Sequence, residues 1–263
     1  MSFRLRAFSR HVFASLCVVT IVAAVLYAGW YRWPAWYLLG AESIVGLLVL
    51  VDIGLGPLCT LIVSSPNKPR SEWRRDVSLI VAVQLLALGY GVHALWVSRP
   101  LYHVFSLDRI ELVRAGDFKD EAIETARQQG AVILPDWQSL PRWIWAPLPD
   151  DPDKRDAIIS SAIFGGGDDV TVMPEYFRPW PDGLAALRQV LIPLDRLTGL
   201  KNLDAGEHRK RLAQLNRPEP SLGLLPAKGS RRDGAWVFDR ETGEPLAFWP
   251  VDIWSLRTPQ REN

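Results

Sequence analysis

The fold of this chain is decided by residues 38–63, LLGAESIVGLLVLVDIGLGPLCTLIV. A helix needs about 20 predominantly apolar residues to cross a bilayer, and this stretch exceeds that length. It also contains Asp52, which is followed closely by Gly54, Gly56 and Pro57. An Asp at mid-membrane costs roughly 3 kcal/mol, whereas each central Leu, Ile or Val favours insertion by about 0.3–0.6 kcal/mol. We therefore predict a membrane-spanning helix that carries a carboxylate and has a weak point, where Gly54, Gly56 and Pro57 disfavour regular helix.

Two further apolar runs flank this stretch, at residues 12–31 and 77–97. Each approaches or exceeds spanning length, and a helix is the single-segment structure that satisfies its own backbone hydrogen bonds in lipid. A signal peptide is the alternative for the first run, but the apolar core of a signal is usually only about 7–15 residues long. The sequence predicts a membrane domain of three transmembrane helices in residues 1–99.

The distribution of Lys and Arg predicts the orientation of these helices. Three Arg residues precede or begin the first run, and the turn between the second and third runs holds Lys68, Arg70, Arg74 and Arg75. The segment between the first two runs has Arg32, within a cluster of Trp and Tyr typical of a membrane interface. Because cytoplasmic loops carry an excess of Lys and Arg, the N-terminus is predicted to be cytoplasmic. Residues 100–263 are then periplasmic, and the membrane is the bacterial inner membrane.

Composition and motifs give no argument for nucleic-acid binding or for common hydrolytic chemistry. The 263 residues have 30 Lys and Arg against 29 Asp and Glu, a net charge of +1. Cys17 and Cys59 both lie in apolar runs, so no disulfide framework is expected in the exported part. The four His residues are scattered, and no His-Glu-x-x-His, Cys-x-x-Cys or Gly-x-Ser-x-Gly pattern occurs. The sequence predicts no catalytic residue, metal or cofactor.

Residues 100–263 have the size of a soluble domain, which is predicted to be mixed α and β. Residues 101–113 alternate between apolar and polar and are predicted as a strand. Residues 117–130 predict a helix with Asp117 as its N-cap, and residues 134–153, rich in Pro and Trp, are predicted to be irregular. Three short apolar runs near the end predict an antiparallel β-meander. Further short helices are predicted at residues 153–164, 182–192 and 205–217.

Two strings resemble motifs of diguanylate cyclases, FGGGDD at residues 164–169 and DRLTGLKN at residues 195–202. In that family the second string precedes the first, and here the order is reversed. The Glu-Phe that completes the acidic loop is replaced by Asp169-Val170. A short motif needs its structural context, which contradicts this one. We interpret the first string as a turn and the second as a helix end closed by Gly199.

Asp52 is the residue that most needs an explanation, because an ionisable group within a span is a functional-site hypothesis by default. Candidate partners within the chain are Gln84 of the third run and the loosened backbone near Gly54 and Pro57. Two interpretations follow. Either Asp52 holds the helical bundle together through internal hydrogen bonds, or it belongs to a proton or ion pathway, which would normally need several intramembrane polar groups in more helices.

Three segments of this chain carry a family signature when they are taken in order. They are VDIGLGPLCTLIV at residues 51–63, RPLYHVFSLDRIELV at residues 99–113 and DRETGEPLAFWPVD at residues 239–252. With the three spans, the Asp-x-x-x-Gly-Pro and Arg-Pro-x-Tyr motifs and the final hairpin, the chain resembles the type IV pilin accessory protein family of the TfpX/TfpZ type. The ends match this family more closely than residues 135–220 do.

The resemblance implies an inner-membrane accessory protein, not an enzyme, that stabilises a cognate type IV pilin or promotes its assembly. Its implied partners are the membrane helix and periplasmic head of the pilin, within the lipid bilayer. Asp52, Gly54, Gly56 and Pro57 are the candidates for contacting the pilin helix or stabilising the bundle. We hypothesise that Asp52 pairs with a cationic group of that helix, for instance its amino terminus after leader removal. The alternative function is a membrane-anchored periplasmic module that binds or senses a small ligand. An enzyme is the third interpretation.

Overall fold

The computed structural model describes residues 2–136, 140–162, 168–199 and 205–257. The chain divides into two compact units, Met1–Arg99 and Pro100–Asn263. The division falls where the composition changes from apolar runs to a mixed sequence. The first unit is helical among its described residues, and the second combines a sheet with short helices.

Three helices of the first unit are long and apolar enough to cross a membrane. The first long helix is Phe3–Gly29, the second is Ala41–Val63 and the third is Arg70–Val97. These helices confirm the three apolar runs as helical segments. The predicted start of the second run is wrong, because Leu38 and Leu39 belong to a short helix, Ala35–Leu39, that ends at Gly40. Gly40 has a φ of 63°, the left-handed conformation that glycine adopts without steric cost and that commonly ends helices.

The second long helix is α-helical over Ala41–Val49 and Gly56–Val63, with a π-helical turn over Leu50–Leu55 between them. Pro57 explains the position of this turn. A proline has no backbone N–H, and its ring clashes with the carbonyl four residues earlier, so the regular pattern fails there. The N–H of Gly56 donates instead to the carbonyl of Val51, five residues back. The weak point expected from the sequence is therefore a π-turn centred on Asp52.

The second long helix packs against both the first and the third. The first and third helices meet through aromatic pairs near their two ends. Phe3 contacts Trp73 with ring centroids 5.7 Å apart, and Trp30, just after the first helix, contacts Trp96 at 5.1 Å. Between these aromatic pairs, residues of the first and third helices line two cavities, to which the second helix contributes Thr60 and Asp52.

The described residues of the second unit form a mixed sheet of eight strands in the order β4-β3-β1-β2-β6-β7-β8, and β5 pairs with β6. The strands are β1 Pro100–Ser106, β2 Arg109–Arg114, β3 Arg142–Trp145, β4 Arg178–Pro179, β5 Ile192–Pro193, β6 Leu222–Lys228, β7 Asp233–Asp239 and β8 Pro245–Trp249. Strands β6, β7 and β8 pair antiparallel in sequence order, which confirms the predicted meander. Strands β3 and β6 run parallel to β1 and β2 respectively.

Short helices accompany the sheet, and two apolar clusters form its core. The α-helices are Asp120–Gln128, Pro152–Ser160, Leu184–Val190 and Ala205–Leu215. The 3-10 turns are Ala115–Asp117, Val170–Val172, Pro174–Tyr176, Trp180–Gly183, Leu194–Gly199, Glu219–Ser221 and Trp254–Arg257. One apolar cluster contains residues of β1, β2 and β3 with Phe118 and Phe177, and the other joins the meander to Leu194, Leu197 and Ile253.

Three local predictions for this unit are wrong. Residues 101–113 form a hairpin rather than one strand, because Leu107 takes a φ of 52° and turns the chain between β1 and β2. Asp117 does not cap a helix. Its carboxylate accepts hydrogen bonds from the backbone N–H and guanidinium of Arg114, and the helix begins at Asp120. The segment predicted to be irregular contains strand β3.

The two cyclase-like strings lie partly outside the described residues. Of the first string, Asp168 and Asp169 are described, and they pair with Lys119 and Arg109. The second string begins in the 3-10 turn Leu194–Gly199, and its remaining residues are not described. The expected turn and helix end therefore stay predictions for the rest of both strings.

Candidate functional site

The candidate site lies where the π-turn of the second long helix faces the third. Asp52 is 5% exposed and Gln84 is 6% exposed. The side-chain amide Nε2 of Gln84 donates to the backbone carbonyl of Asp52 at 3.0 Å and to its Oδ1 at 3.4 Å. The π-turn makes this possible, because it leaves a main-chain carbonyl available to a donor on the neighbouring helix. Gln84, one of the partners considered from the sequence, is thus a hydrogen-bond partner of Asp52.

This arrangement leaves two buried acceptors unused. Within the described ranges, neither Oδ2 of Asp52 nor Oε1 of Gln84 has a hydrogen-bond partner. A buried polar atom without a partner costs about 1–3 kcal/mol, and a charged one costs more. Two unused acceptors in one contact would be satisfied by a group that donates hydrogen bonds, and hydrogen bonds from a cation are the strongest of these.

The other predicted site residues contribute differently to this contact. A Cβ at Gly56 would overlap the side-chain amide of Gln84, so glycine allows the third helix to bring Gln84 onto the π-turn. A Cβ at Gly54 would meet only the Leu50 side chain at 3.7 Å, an ordinary contact. Pro57 is buried and acts through the helix geometry described above. The structure therefore brings Asp52, Gly56 and Gln84 together and leaves Gly54 outside the contact.

Asp52 and Gln84 line a narrow cavity of about 130 Å³ between the first and third long helices. Its other walls are His11 and a set of apolar or small side chains, including Val18, Val19, Leu85 and Leu88. The contact between Asp52 and Gln84 therefore forms part of the wall of this cavity.

A second, wider cavity of about 510 Å³ lies closer to the start of the first helix. His11 lines both cavities, and its Nδ1 lies 2.6 Å from the hydroxyl Oγ1 of Thr60. The pairing of His11 with Thr60 does not follow from the sequence. They are 49 residues apart, and their contact depends on how the first helix packs against the second. The available signal was the position of Thr60 within an apolar run and of His11 directly before one.

The soluble unit buries polar groups in a different way. Asp239, at the end of β7, is 4% exposed, and its Oδ1 accepts the N–H groups of Glu241 and Thr242 at 2.9 Å each. These bonds, with Arg217 at 3.4 Å from Oδ2, hold the pKa of Asp239 below its ordinary value. The carboxylate closes the turn that leads to β8. It is a structural group with its acceptors in use.

His103 on β1 is a buried imidazole of the soluble unit. Its ring stacks on Trp143 of β3 with centroids 4.5 Å apart, and Trp236 of β7 meets it edge-on at 5.5 Å. Burial lowers the pKa of His103 to about 4, so the ring is neutral at ordinary pH. Among the described residues of the whole chain, no group of three or more His, Cys, Asp or Glu side chains is placed to hold a metal ion.

Comparison with known proteins identifies relatives of this chain. It is 33% identical over 131 residues to a fimbrial assembly protein, serogroup I, of Dichelobacter nodosus, a match that covers 50% of this chain and 48% of the relative. The serogroup E1 protein of the same organism is 31% identical over 131 residues, which again cover 50% of this chain and 48% of the relative. The chain therefore spans about half the length of these two relatives.

A third relative is matched over most of its length. The fimbrial assembly protein of serogroups C1 and C2 of Dichelobacter nodosus is 36% identical over 107 residues, which is 41% of this chain and 82% of that protein. No family model matches the chain. No solved structure matches it either. The extent and identity of the third match show that this chain belongs to the family of fimbrial assembly proteins, in agreement with its resemblance to type IV pilin accessory proteins.

Proposed function

We propose that this protein is a membrane accessory factor of type IV pilus assembly that stabilises a cognate pilin or promotes its incorporation. Relatives named fimbrial assembly proteins support the role in pilus assembly. The observation that carries the more specific role is the pair of unused acceptors, Asp52 Oδ2 and Gln84 Oε1, at a recess between apolar helices. Such a recess suits the binding of another helix better than it suits catalysis.

Membrane insertion is the first step of this proposal. The three long helices have spanning length, and many of their large apolar side chains are exposed in the unit, for instance Phe13, Ile62 and Leu86. A bilayer would cover these side chains. The excess of Lys and Arg at the predicted cytoplasmic ends favours a bacterial inner membrane with the N-terminus in the cytoplasm and residues 100–263 in the periplasm.

The pilin helix is the proposed occupant of the site. Helices in lipid associate through close packing and polar contacts, because lipid tails are as apolar as the helices. A cationic group of the pilin helix, such as its processed amino terminus, would give Oδ2 of Asp52 a partner. That pairing would also offset the cost of placing the carboxylate in the membrane. The periplasmic unit is proposed to meet the head of the same pilin.

A structural role for Asp52 is the competing explanation. Its contact with Gln84 joins the second and third helices, which supports a contribution to the bundle. The two roles differ in what Asp52→Asn does. An amide keeps the shape and can donate to Oε1 of Gln84, so the isolated protein should keep its stability. A partner cation would lose its counter-charge.

A ligand-binding module is a second candidate function, and one cavity favours it. The soluble unit has a cavity of about 440 Å³ lined by apolar groups and Arg178, with Trp145, Tyr176 and Asp182 among its walls. Apolar walls with a few polar groups are typical of small-molecule sites. Screening the purified full-length protein by thermal shift, with Arg178→Ala as the control variant, tests this candidate.

The principal experiment is a mild-detergent pull-down from the native host, with co-purifying proteins identified by mass spectrometry. A type IV pilin enriched over other inner-membrane proteins, together with loss of piliation on deletion of the gene, is the expected result. A well-expressed protein that retains no pilin, in a host whose piliation is unchanged by the deletion, would contradict the proposal.

A further inference from the structure

The wide cavity combines apolar walls with cationic side chains. Ala7, Ala14, Val77 and Val81 supply small or apolar surface, and Arg6, Arg10 and His11 supply nitrogen donors. Phe3 and Trp73 lie in edge-to-face contact and also line the cavity. In the proposed orientation this is the cytoplasmic end of the helices, where lipid headgroups meet the acyl chains.

Arg6 and Arg10 carry guanidinium groups into this cavity, and neither guanidinium forms an ion pair or hydrogen bond in the described part of the chain. They lie four residues apart on one face of the first helix, where like charges repel. Lys68, in the nearby turn, is already paired with Asp76. An anion between the two guanidinium groups would remove the repulsion and form charge-assisted hydrogen bonds.

Two other polar side chains of the cavity already have partners. The imidazole of His11 contacts the Thr60 hydroxyl, and the indole N–H of Trp73 donates to Oγ of Ser64 at 2.9 Å. The groups that remain for a ligand are therefore the two guanidinium groups and the second ring nitrogen of His11. The apolar walls offer no hydrogen bonds, and Ala14 and Val81 lie further along their helices than the charged end, so a suitable ligand has an anionic head and an apolar body.

We propose that the wide cavity binds an anionic phospholipid of the cytoplasmic leaflet. Its phosphate lies between Arg6 and Arg10, and the first part of an acyl chain follows Ala7, Ala14 and Val77. Basic pockets between membrane helices on the cytoplasmic side are suited to such headgroups. The inference rests on the proposed membrane insertion but not on the pilin contact, which uses the narrow cavity at Asp52.

The test uses the full-length protein in nanodiscs of phosphatidylcholine with a small fraction of phosphatidylglycerol, and native mass spectrometry counts the retained lipids. The wild type should retain phosphatidylglycerol over phosphatidylcholine. Arg6→Gln with Arg10→Gln should reduce that preference about tenfold. Arg74→Gln with Arg75→Gln is the matched control, because it removes the same charge from exposed positions outside the cavity and should leave the preference unchanged.

Two further measurements keep the proposal falsifiable. Ala7→Phe narrows the cavity without changing charge, and it should lower lipid retention even if the double Arg variant folds poorly. Millimolar inorganic phosphate should displace little lipid, because it lacks the acyl chain. Equal losses in the cavity and control variants, or full displacement by phosphate, would overturn the lipid site. Retention of the pilin by Arg6→Gln/Arg10→Gln, and its loss with Asp52→Asn, would separate this proposal from the pilin contact.

Discussion

Two buried carboxylates of this chain, Asp52 in the helical unit and Asp239 in the sheet unit, have almost the same exposure, 5% and 4%. Asp239 accepts two backbone N–H groups and lies near Arg217. Asp52 is contacted by one amide, and its Oδ2 has no partner among the described residues. Burial alone therefore does not separate the two carboxylates, whereas their unused hydrogen-bonding capacity does.

The largest expected effect is that of Asp52→Asn on pilin binding. Removing one partner of a buried charge pair costs about 3–5 kcal/mol, so pilin co-purification should fall by about 100-fold or more. The thermal stability of the isolated protein should stay the same or rise, because the new amide can donate to Gln84. Quantitative mass spectrometry of the pull-down and a melting curve measure the two effects.

The opposite pattern would support the structural role of Asp52. If Asp52→Asn lowers the melting temperature and leaves both pilin recovery and piliation intact, Asp52 serves the bundle alone, and the distinction drawn between the two carboxylates fails.

Asp239→Ala should have the next largest effect, and it should act on stability. The substitution leaves the N–H groups of Glu241 and Thr242 without their acceptor. Hydrogen bonds to a charged group are worth about 1.5–3 kcal/mol, so we expect a loss of about 2–3 kcal/mol in the unfolding free energy of the soluble unit. Denaturant unfolding followed by Trp fluorescence measures it. Glu241→Ala, at an exposed position in the same turn, is the control, and a comparable loss there would contradict the assignment.

Acidification should weaken the sheet unit through His103. Its pKa is lowered from 6.5 to about 4 in the folded protein, so between these values the unfolded chain binds more protons and stability falls as the pH falls. Between about pH 7.5 and pH 5 the loss should be about 2 kcal/mol. Asp239, whose pKa is lowered from 3.8, loses its stabilising effect only at more acidic pH.

His103→Phe separates this effect from other titrating groups. The variant keeps an aromatic ring against Trp143 and removes the imidazole. Its stability should change less between the two pH values than that of the wild type. An unchanged pH dependence would show that His103 is not the group responsible.

The smallest expected effect comes from the glycines of the second helix. A methyl group at Gly56 would displace the Gln84 amide, whereas a methyl group at Gly46 would meet no atom within 4 Å. Gly56→Ala should therefore lower pilin recovery about tenfold while Asp52 stays in place, and Gly46→Ala should not. Equal recovery from the two variants would show that the placement of Gln84 has no effect on the site.

The sequence predicted the features that depend on local pattern. The three apolar helices, the β6–β8 meander and the weak point around Asp52 follow from run length, turn residues and Pro57. The sequence did not predict that the helix would be interrupted by a π-turn, because a π-turn depends on which carbonyl each backbone N–H reaches. The helix break at Gly40 was also missed, because it lies within a continuous apolar run. The turn at Leu107 was missed because the alternation of apolar and polar residues continues across it.

Contacts between distant segments were the hardest to predict. Gln84 was one of several polar candidates for Asp52, and the close approach at Gly56 selects it. The pairing of His11 with Thr60 and the stack of His103 on Trp143 depend on helix packing and on parallel pairing of β1 with β3. Neither arrangement leaves a periodic signal in the sequence. The cavities follow from the same packing and were likewise not predicted.

Site-specific photo-crosslinking in the native host tests the central claim most directly. Leu85 lines the narrow cavity beside Asp52, and its neighbour Leu86 does not, although both side chains are exposed, at 58% and 75%. A photoreactive amino acid at position 85 should crosslink to a type IV pilin, and the same group at position 86 should give little or no product. Equal crosslinking at both positions, or at position 86 alone, would contradict a pilin helix bound at the Asp52 recess.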